Sequence, residues 1–260
     1  MCLILLALDT HPDYAIVLAA NRDEFYDRPT APAAFWDDAP GVLAGRDLRA
    51  GGTWLGIDRA GRLAAVTNYR QGTRESPAPR SRGHLVGEYL TGRHGAEEHI
   101  ARVRHDAELY NGFNLICGDA NGFVYFSNRE GRARALGAGI YGLSNHLLDS
   151  PWPKVTAGKS GVTALLSTGG EALLAKLFAL LSDRSPAADE LLPRTGVSPE
   201  WERLLSAAFI ASPEYGTRSS TVILVGHDGR AVFVERSFGP GGAPEDEVRF
   251  ELTLTRGHVG

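Results

Sequence analysis

The chain opens with two short segments of almost uninterrupted apolar residues. Residues 2–8 and 14–20 flank His11-Pro12-Asp13, whose composition is typical of a turn, so the pattern predicts a β-hairpin. Neither segment alternates with polar residues, as a strand with one face in water does. We therefore expect both faces of these strands to be buried.

Further along the chain, the pattern predicts both strand pairs and helices. Two more hairpins are predicted, one from residues 53–57 and 63–67, the other from residues 113–118 and 123–126. Apolar periodicity predicts helices over residues 84–91, 95–107, 154–167, 170–182 and 200–207. The last predicted strands are residues 219–225, 231–236 and 248–254. A Pro-, Asp- and Gly-rich region up to about residue 51 is interpreted as loop, and residues 70–83 as an exposed basic loop.

This order of elements distinguishes between fold classes. Strands come first, helices occupy the middle and strands close the chain, which argues against the βαβ units of a doubly wound parallel sheet. We predict an α+β fold, namely a four-layer αββα sandwich of two stacked, mostly antiparallel sheets with helices outside. No linker or internal repeat is evident, so residues 1–260 are expected to form a single domain.

Composition and charge narrow the range of functions. Of the 260 residues, 43% are hydrophobic and 22% are charged, which is ordinary for a globular protein. The formal net charge of −4 gives no indication of a nucleic-acid partner. No segment approaches the roughly 18 consecutive apolar residues of a spanning helix, so stable membrane insertion is not expected. The oligomeric state stays open, including a homo-oligomer.

Cysteine and metal motifs are sparse. The two cysteines, Cys2 and Cys117, cannot form a disulfide framework and suit a reducing compartment, so we expect a cytoplasmic location. The chain has no H-E-x-x-H or paired C-x-x-C motif, and neither a metal site nor a cofactor is predicted. Ala157-Gly-Lys-Ser160 resembles the end of a phosphate loop, but Pro153 stands where that motif needs a glycine.

Cys2 carries the most informative chemistry. A methionine aminopeptidase removes Met1 when the second side chain is small, as it is here. The new α-amine, with an ordinary pKa of about 7.7–8.0, would stand beside a thiol of ordinary pKa about 8.5. One residue would then supply nucleophile and general base, as in hydrolases with an N-terminal Thr, Ser or Cys. The alternative is that Cys2 is only a small apolar residue of the first strand.

Four polar residues directly follow the second predicted strand. The hairpin brings Asn21-Arg-Asp-Glu24 near the start of the chain, so Asp23 is a candidate for holding the α-ammonium. Arg22 is a candidate for lowering the thiol pKa or for binding an anion. Because strand neighbours point to opposite faces, it stays open whether Arg22 reaches the thiol. A solvated strand end would have the same composition.

Several separated motifs resemble those of one known family. They are Met1-Cys2, Asn21-Arg-Asp-Glu-Phe-Tyr-Asp-Arg-Pro-Thr30, Gly51-Gly-Thr-Trp-Leu-Gly56, Val66-Thr-Asn-Tyr-Arg70, Ser81-Arg-Gly83, Gly142-Leu-Ser-Asn145 and Pro151-Trp-Pro-Lys154. Their order is similar to that of the NRDE-motif family, which includes the eukaryotic transport-and-Golgi-organisation proteins. That family is distantly similar to N-terminal nucleophile (Ntn) hydrolases such as conjugated bile acid hydrolase and penicillin V acylase.

The resemblance implies roles for five residues. Cys2 is similar to the hydrolases' nucleophile and Asp23 to the acid that positions its amine. Asn68 and Asn145 resemble the two amides that stabilise the oxyanion, and Arg218 resembles an arginine near the nucleophile. From the residues alone, the two asparagines are also explained as turn formers, and Arg218 as a surface charge.

The chain departs from those hydrolases at Ala20, where they carry a further arginine. The predicted substrate-binding residues are Asn21, Arg22, Trp54, Tyr69, Arg70 and Arg82. If Arg70, Arg74, Arg80 and Arg82 line a pocket, they favour an anionic ligand such as a carboxylate, a phosphate or a haem propionate. Otherwise these arginines belong to a solvated loop, and Trp54 and Trp152 are plain core aromatics.

Three functions follow from these observations. The first is an Ntn-type cysteine amidohydrolase or thioesterase that cleaves a small anionic acyl substrate through acyl-Cys2 and needs no cofactor. The second is a carrier or chaperone for haem or lipid that uses the same pocket without turnover, because relatives are linked to haem mobilisation and lipid homeostasis. In that case Cys2 or a histidine is a candidate ligand of haem iron. The third is a structural or interaction protein on an inherited fold.

Overall fold

The computed structural model describes residues 2–72, 78–119 and 121–255. The described residues form two compact units. One contains residues 2–27, 70–72 and 138–251, and the other contains residues 28–69, 78–119, 121–137 and 252–255.

Thirteen strands and five α-helices are present in the described residues. The strands are β1 (Cys2–Leu8), β2 (Tyr14–Phe25), β3 (Thr30–Trp36), β4 (Ala39–Asp47), β5 (Leu55–Asp58), β6 (Leu63–Asn68), β7 (Phe113–Asp119), β8 (Gly122–Ser127), β9 (Ala133–Leu136), β10 (Gly139–Leu143), β11 (Tyr215–Gly226), β12 (Arg230–Gly239) and β13 (Ala243–Thr253). The helices are α1 (Gly83–Thr91), α2 (Ala96–His105), α3 (Pro153–Leu165), α4 (Gly170–Leu181) and α5 (Pro199–Leu204).

The first unit is built on a six-stranded sheet with the order β10-β1-β2-β11-β12-β13. β1 is antiparallel to both of its neighbours, and β11 is antiparallel to β2 and β12. Helices α3 and α4 cover one face, where Leu5 and Ala19 belong to the same core cluster as Leu177. Leu6 and Leu18, which point to the other face, are also fully buried, so the predicted double-sided burial is confirmed.

A glycine lets α3 approach the sheet closely. A Cβ atom at Gly158 would lie 2.7 Å from Leu5 Cδ2, a distance that side chains do not tolerate. Lys154, Gly158 and Val162 follow a four-residue spacing and are all buried in α3. The stripe that faces the sheet therefore includes a lysine.

The second unit is a seven-stranded antiparallel meander, in which each strand from β3 to β9 pairs with the next one along the chain. Helices α1 and α2 cover one face of this sheet. Val66 and Phe126 of the strands share a core cluster with Leu85 and Ile100 of the helices.

The predicted α+β class is confirmed, with two antiparallel sheets and helices packed on each. All predicted helices and strands are present, with shifted ends. The interpretation of the region before residue 51 as loop is wrong, because β3 and β4 lie there. Their pairing is interrupted by register shifts, which obscure the two-residue alternation of a regular strand. The pattern also misses β9 and β10, which are only four and five residues long.

None of the helices in the described part of the chain is both long and apolar enough to traverse a lipid bilayer.

The packing of α4 on the first sheet predicts the effect of truncating Leu177. This side chain is 0% exposed, so Leu177→Ala removes buried methyl groups and leaves a cavity. We expect the free energy of unfolding to fall by about 2–5 kcal/mol in chemical denaturation. Leu191→Ala is the control, because Leu191 is 64% exposed and its truncation should cost less than about 0.5 kcal/mol. Equal losses in the two variants would contradict this packing.

Candidate active site

The pairing of β1 fixes the position of Cys2. Cys2 lies opposite Arg22 of β2 in the antiparallel ladder. On the other side, the ladder with β10 ends where Ile4 pairs with Leu143, and Ser144 and Asn145 directly follow β10. The Ser144 hydroxyl donates to the Cys2 carbonyl oxygen at 2.9 Å, which ties the two chain segments together at this point. Cys2 and Arg22 are thus brought together, and Asn145 follows the residue that binds the Cys2 carbonyl oxygen.

Arg22 lies on the same face of the sheet as the Cys2 thiol. Directly opposed residues in an antiparallel pair share a face, which answers the question that alternation within β2 leaves open. Arg22 is buried, and its guanidinium is 4.0 Å from Glu24 Oε2. The departure at Ala20 therefore leaves the thiol with a cationic neighbour on its own face.

The electrostatics of Cys2 combine opposing effects. Burial raises the pKa of the Cys2 thiol, and the negative charge of Asp23 raises it further, whereas the positive charge of Arg22 lowers it. Burial dominates. In this environment the thiol is less readily ionised than an ordinary cysteine, so it needs a base close by to act as a nucleophile.

Asp23 is held by Thr217 of β11. The two residues pair in the ladder, and the Thr217 hydroxyl donates to Asp23 Oδ1 at 2.8 Å. The same hydroxyl oxygen accepts a hydrogen bond from the Ile210 N–H at 2.9 Å. Burial raises the pKa of the Asp23 carboxyl, and the positive charge of Lys154 is the largest influence that lowers it.

Asn21 has a structural set of hydrogen bonds. Its amide nitrogen donates to the carbonyl oxygens of Leu181 and Ala208, each at 2.8 Å, and the Ser220 hydroxyl donates to its Oδ1 at 2.6 Å. These partners lie where α4 ends and where the segment before β11 passes the sheet. The structure thus shows Asn21 connecting β2 to its neighbours, while its predicted role in substrate binding stays a prediction.

Lys154 is a site residue that the sequence did not reveal. It lies in the first turn of α3, is buried, and interacts electrostatically with both Asp23 and Cys2. Burial lowers the pKa of Lys154 to about 8. The four-residue spacing of Lys154, Gly158 and Val162 was the available signal, because it places the lysine on the buried stripe of the helix.

Arg70 is not part of an exposed loop. Its guanidinium forms a 2.7 Å ion pair with Glu202 of α5, and both side chains are buried. The same guanidinium stacks 4.7 Å from the Trp152 ring, and its backbone N–H donates to the Asn145 carbonyl oxygen at 2.7 Å. The predicted exposed loop is therefore wrong at Arg70, because a buried carboxylate compensates its charge. Arg74, predicted in the same loop, lies outside the described residues.

Arg218 occupies an irregular point of β11. The register shifts between Thr217 and Ser219, so Arg218 is the extra residue of a β-bulge. Its guanidinium donates to the Phe25 carbonyl oxygen at 3.1 Å and lies 5.5 Å from the Tyr26 ring. The structure thus places the Arg218 side chain at the end of β2. Its role near the nucleophile stays a prediction.

Four predicted site residues belong to the second unit. Asn68 ends β6, opposite Phe113, and is half-buried. Tyr69 follows it, and its backbone N–H donates to the Gly112 carbonyl oxygen at 2.8 Å; Arg82 donates to the same oxygen at 3.1 Å. Trp54 packs on Gly45, where a Cβ atom would lie 2.4 Å from the indole ring. Their predicted roles remain predictions.

The second cysteine has a different environment. Cys117 is fully buried in the second unit, and burial raises its pKa to about 12. Within the described residues, no group of three or more His, Cys, Asp or Glu side chains is arranged to hold a metal ion.

The fold defines a class of proteins. The structure of penicillin V acylase from Agrobacterium tumefaciens is similar to this chain with a TM-score of 0.54, over 98% of this chain and 87% of that chain, at 13% sequence identity. The fold is therefore Ntn-hydrolase-like, as the resemblance implied.

The chain belongs to the Transport and Golgi organisation 2 family, whose model matches residues 1–240. A Bos taurus Transport and Golgi organization protein 2 homolog is 40% identical over 274 residues, which cover 97% of each chain. A Homo sapiens homolog is 39% identical over 276 residues, which cover 98% of this chain and 99% of the relative. The family resemblance is thus confirmed.

The two cysteines are expected to react differently with iodoacetamide. Cys2 is half-buried and Cys117 fully buried, so Cys2 should be alkylated first. Because burial raises the pKa of the Cys2 thiol, its rate should rise about tenfold per pH unit and continue beyond pH about 8.5, without the plateau of an ordinary cysteine. Peptide mass spectrometry measures both sites. Cys117→Ser should leave the fast phase intact and Cys2→Ser should abolish it. A plateau at or below pH about 8.5 would contradict the raised pKa.

The buried Arg70–Glu202 pair predicts a strong effect of removing one partner. Glu202→Gln leaves the Arg70 guanidinium buried without its carboxylate, and we expect a loss of about 3–5 kcal/mol in the free energy of unfolding. Arg70→Met combined with Glu202→Leu removes both charges and should recover most of that loss. Asp189→Asn is the control, because the Arg203–Asp189 pair is exposed and should contribute less than about 1 kcal/mol. A Glu202→Gln loss no larger than the control's would show that the pair is not buried in solution.

Proposed function

We propose that this chain is an N-terminal-cysteine hydrolase that cleaves an amide or thioester of a small anionic acyl substrate, after removal of Met1. The observation that carries the proposal is the position of Cys2, which pairs with Arg22 of β2 and whose carbonyl oxygen accepts a hydrogen bond from Ser144, the residue before Asn145. Asp23 follows Arg22 on β2, the strand next to β1, and is hydrogen-bonded to Thr217 of β11. The Ntn-hydrolase-like fold supports this reading.

The proposed reaction proceeds through an acyl-enzyme. The free α-amine of Cys2 accepts the proton of the thiol, and the sulfur attacks the substrate carbonyl carbon. When the tetrahedral intermediate collapses, the bond to the leaving amine or thiol breaks and that group takes the proton. Water then attacks the acyl-Cys2 thioester, the acid is released, and the thiol is restored. Because burial raises the pKa of the thiol, the sulfur depends on this amine to remove its proton.

The neighbours of Cys2 suit the charges of this reaction. We assign Asn145 the oxyanion donor, because it follows Ser144, which binds the Cys2 carbonyl oxygen; such donors contribute about 3–4 kcal/mol where they have been removed from other enzymes. Arg22, buried on the face of the thiol, supports an anionic substrate, because a buried guanidinium favours a carboxylate or phosphate partner.

Intact mass and acylation of the purified chain test this proposal together. We expect the mass to lack Met1, and an electrophilic acyl probe to form one thioester at Cys2. Cys2→Ala should abolish the adduct, because it removes the nucleophile. Cys117→Ser should leave the adduct unchanged, because Cys117 is fully buried.

Two outcomes would contradict the proposal. Retention of Met1 in protein from its native host would place the α-amine on the wrong residue. Equal acylation of the wild type and the Cys2→Ala variant would show that the probe reacts elsewhere. In the same preparation, an absorption band that saturates at one equivalent of haem without acylation would favour a carrier instead.

A further inference from the structure

A buried lysine on α3 lacks the ion pair that its charge calls for. Lys154 is 5% exposed, and an ammonium group has three hydrogens to donate. In the described chain, its Nζ makes a single hydrogen bond, to the Ala207 carbonyl oxygen at 3.4 Å. Burial of a cation is costly unless an anion compensates for it. The charge therefore points to a nearby anionic partner.

The segment 207–210 connects Lys154 to the polar residues of β2. Lys154 donates to the Ala207 carbonyl oxygen, and Asn21 donates to the carbonyl oxygen of Ala208, the next residue. Ile210 donates its N–H to the Thr217 hydroxyl, which in turn donates to Asp23 Oδ1. Lys154 and Asp23 are thus held by one short stretch of backbone on the helix-covered side of the sheet.

The charges around Asp23 come from several elements. Arg22 precedes Asp23 on β2, Cys2 pairs with Arg22 from β1, and the buried Tyr215 lies on β11. Arg70 also acts on Asp23, but its guanidinium forms an ion pair with Glu202. Lys154 has no such carboxylate within ion-pairing distance among the described residues, and Asp23 is the anion that acts on it most strongly.

We propose that Lys154 is a positioning residue whose buried ammonium keeps Asp23 in its charged form, so that Asp23 can hold the N-terminal amine of Cys2. The role of the amine rests on the proposed hydrolase function, whereas the coupling between Lys154 and Asp23 does not. Lys154 acts through Asp23 and does not touch the substrate.

The coupling is measurable by NMR without any turnover. The chain has three lysines, Lys154, Lys159 and Lys176, so labelling of the lysine ε-carbon gives three signals, each assigned by its Lys→Arg variant. We expect Lys154 to titrate near its lowered pKa of about 8. In Asp23→Asn its midpoint should fall by at least about one pH unit, because the neighbouring negative charge is lost.

Asp149→Asn is the matched control for this titration. Asp149 forms an ion pair with Lys159 at 2.6 Å, so that variant should move Lys159 and leave Lys154 unchanged. If Asp23→Asn does not fold, the wild type supplies the readout. The chemical shift of the Asp23 γ-carbon should change once when Asp23 titrates and a second time at the Lys154 midpoint, because linkage between two sites is reciprocal. A Lys154 midpoint that ignores Asp23, or no second shift, would overturn the inference.

The pH dependence of Cys2 acylation gives the functional readout. The acylation rate should rise with pH on the acidic side of its profile, as Asp23 loses its proton. In Lys154→Met this acidic limb should move to higher pH, because Asp23 then loses its proton less readily. Lys154→Arg should keep the limb near its original position, and Lys159→Met should not move it. An unmoved limb in Lys154→Met would contradict the positioning role. If NMR shows the coupling but no variant is acylated, the Lys154–Asp23 coupling stands and the hydrolase function is refuted. If Cys2 is acylated but NMR shows no coupling, the hydrolase function stands and the role of Lys154 is refuted.

Discussion

The antiparallel register of β1 between β2 and β10 determines the rest of the site. A strand that slips by one residue turns every side chain to the opposite face, so the apolar residues of β1 strongly specify its alignment. Leu5 packs under α3 and α4. Because side chains alternate along the strand, Cys2 and its partner Arg22 then point to the other face. The position of the thiol is therefore a consequence of core packing several residues away.

A second constraint is the burial of polar groups where the helices meet β2. Asn21 donates to two carbonyl oxygens of neighbouring segments, and Thr217 joins Asp23 to the segment before β11. Such networks are rigid when every member has a partner. The Thr217 hydroxyl consequently holds Asp23 Oδ1 before any ligand arrives, which reduces the conformational entropy that binding would cost.

The sequence predicted regular elements better than irregular ones. Continuous apolar runs predicted β1 and β2, because fully buried strands have little else in them. β3 was missed because register shifts break its alternation, and no short-range pattern records a bulge. For the site, the position behind Met1 led to Cys2 and the motif around Asn21 led to Asp23, but the face of Arg22 required the cross-strand register.

The sequence could not predict which opposite charge compensates each buried charged residue. Arg70 and Glu202 are 132 residues apart in the chain, and only the folded structure shows them as a buried pair. The sequence showed Lys154 only as the end of a motif, and the folded structure shows it on the buried stripe of α3 with Gly158. In both cases the informative fact is which opposite charge lies nearby, and that is a property of tertiary contacts.

The raised pKa of Cys2 has a consequence for how activity can be controlled. A surface thiol with a lowered pKa would react with many electrophiles, whereas burial keeps the Cys2 sulfur protonated at neutral pH. Its reactivity then depends on a base that can take the proton within the same site. In the proposed mechanism this base is the α-amine of Cys2 itself, which exists only after Met1 is cleaved. Within that mechanism, removal of Met1 thus supplies the base that the buried thiol needs.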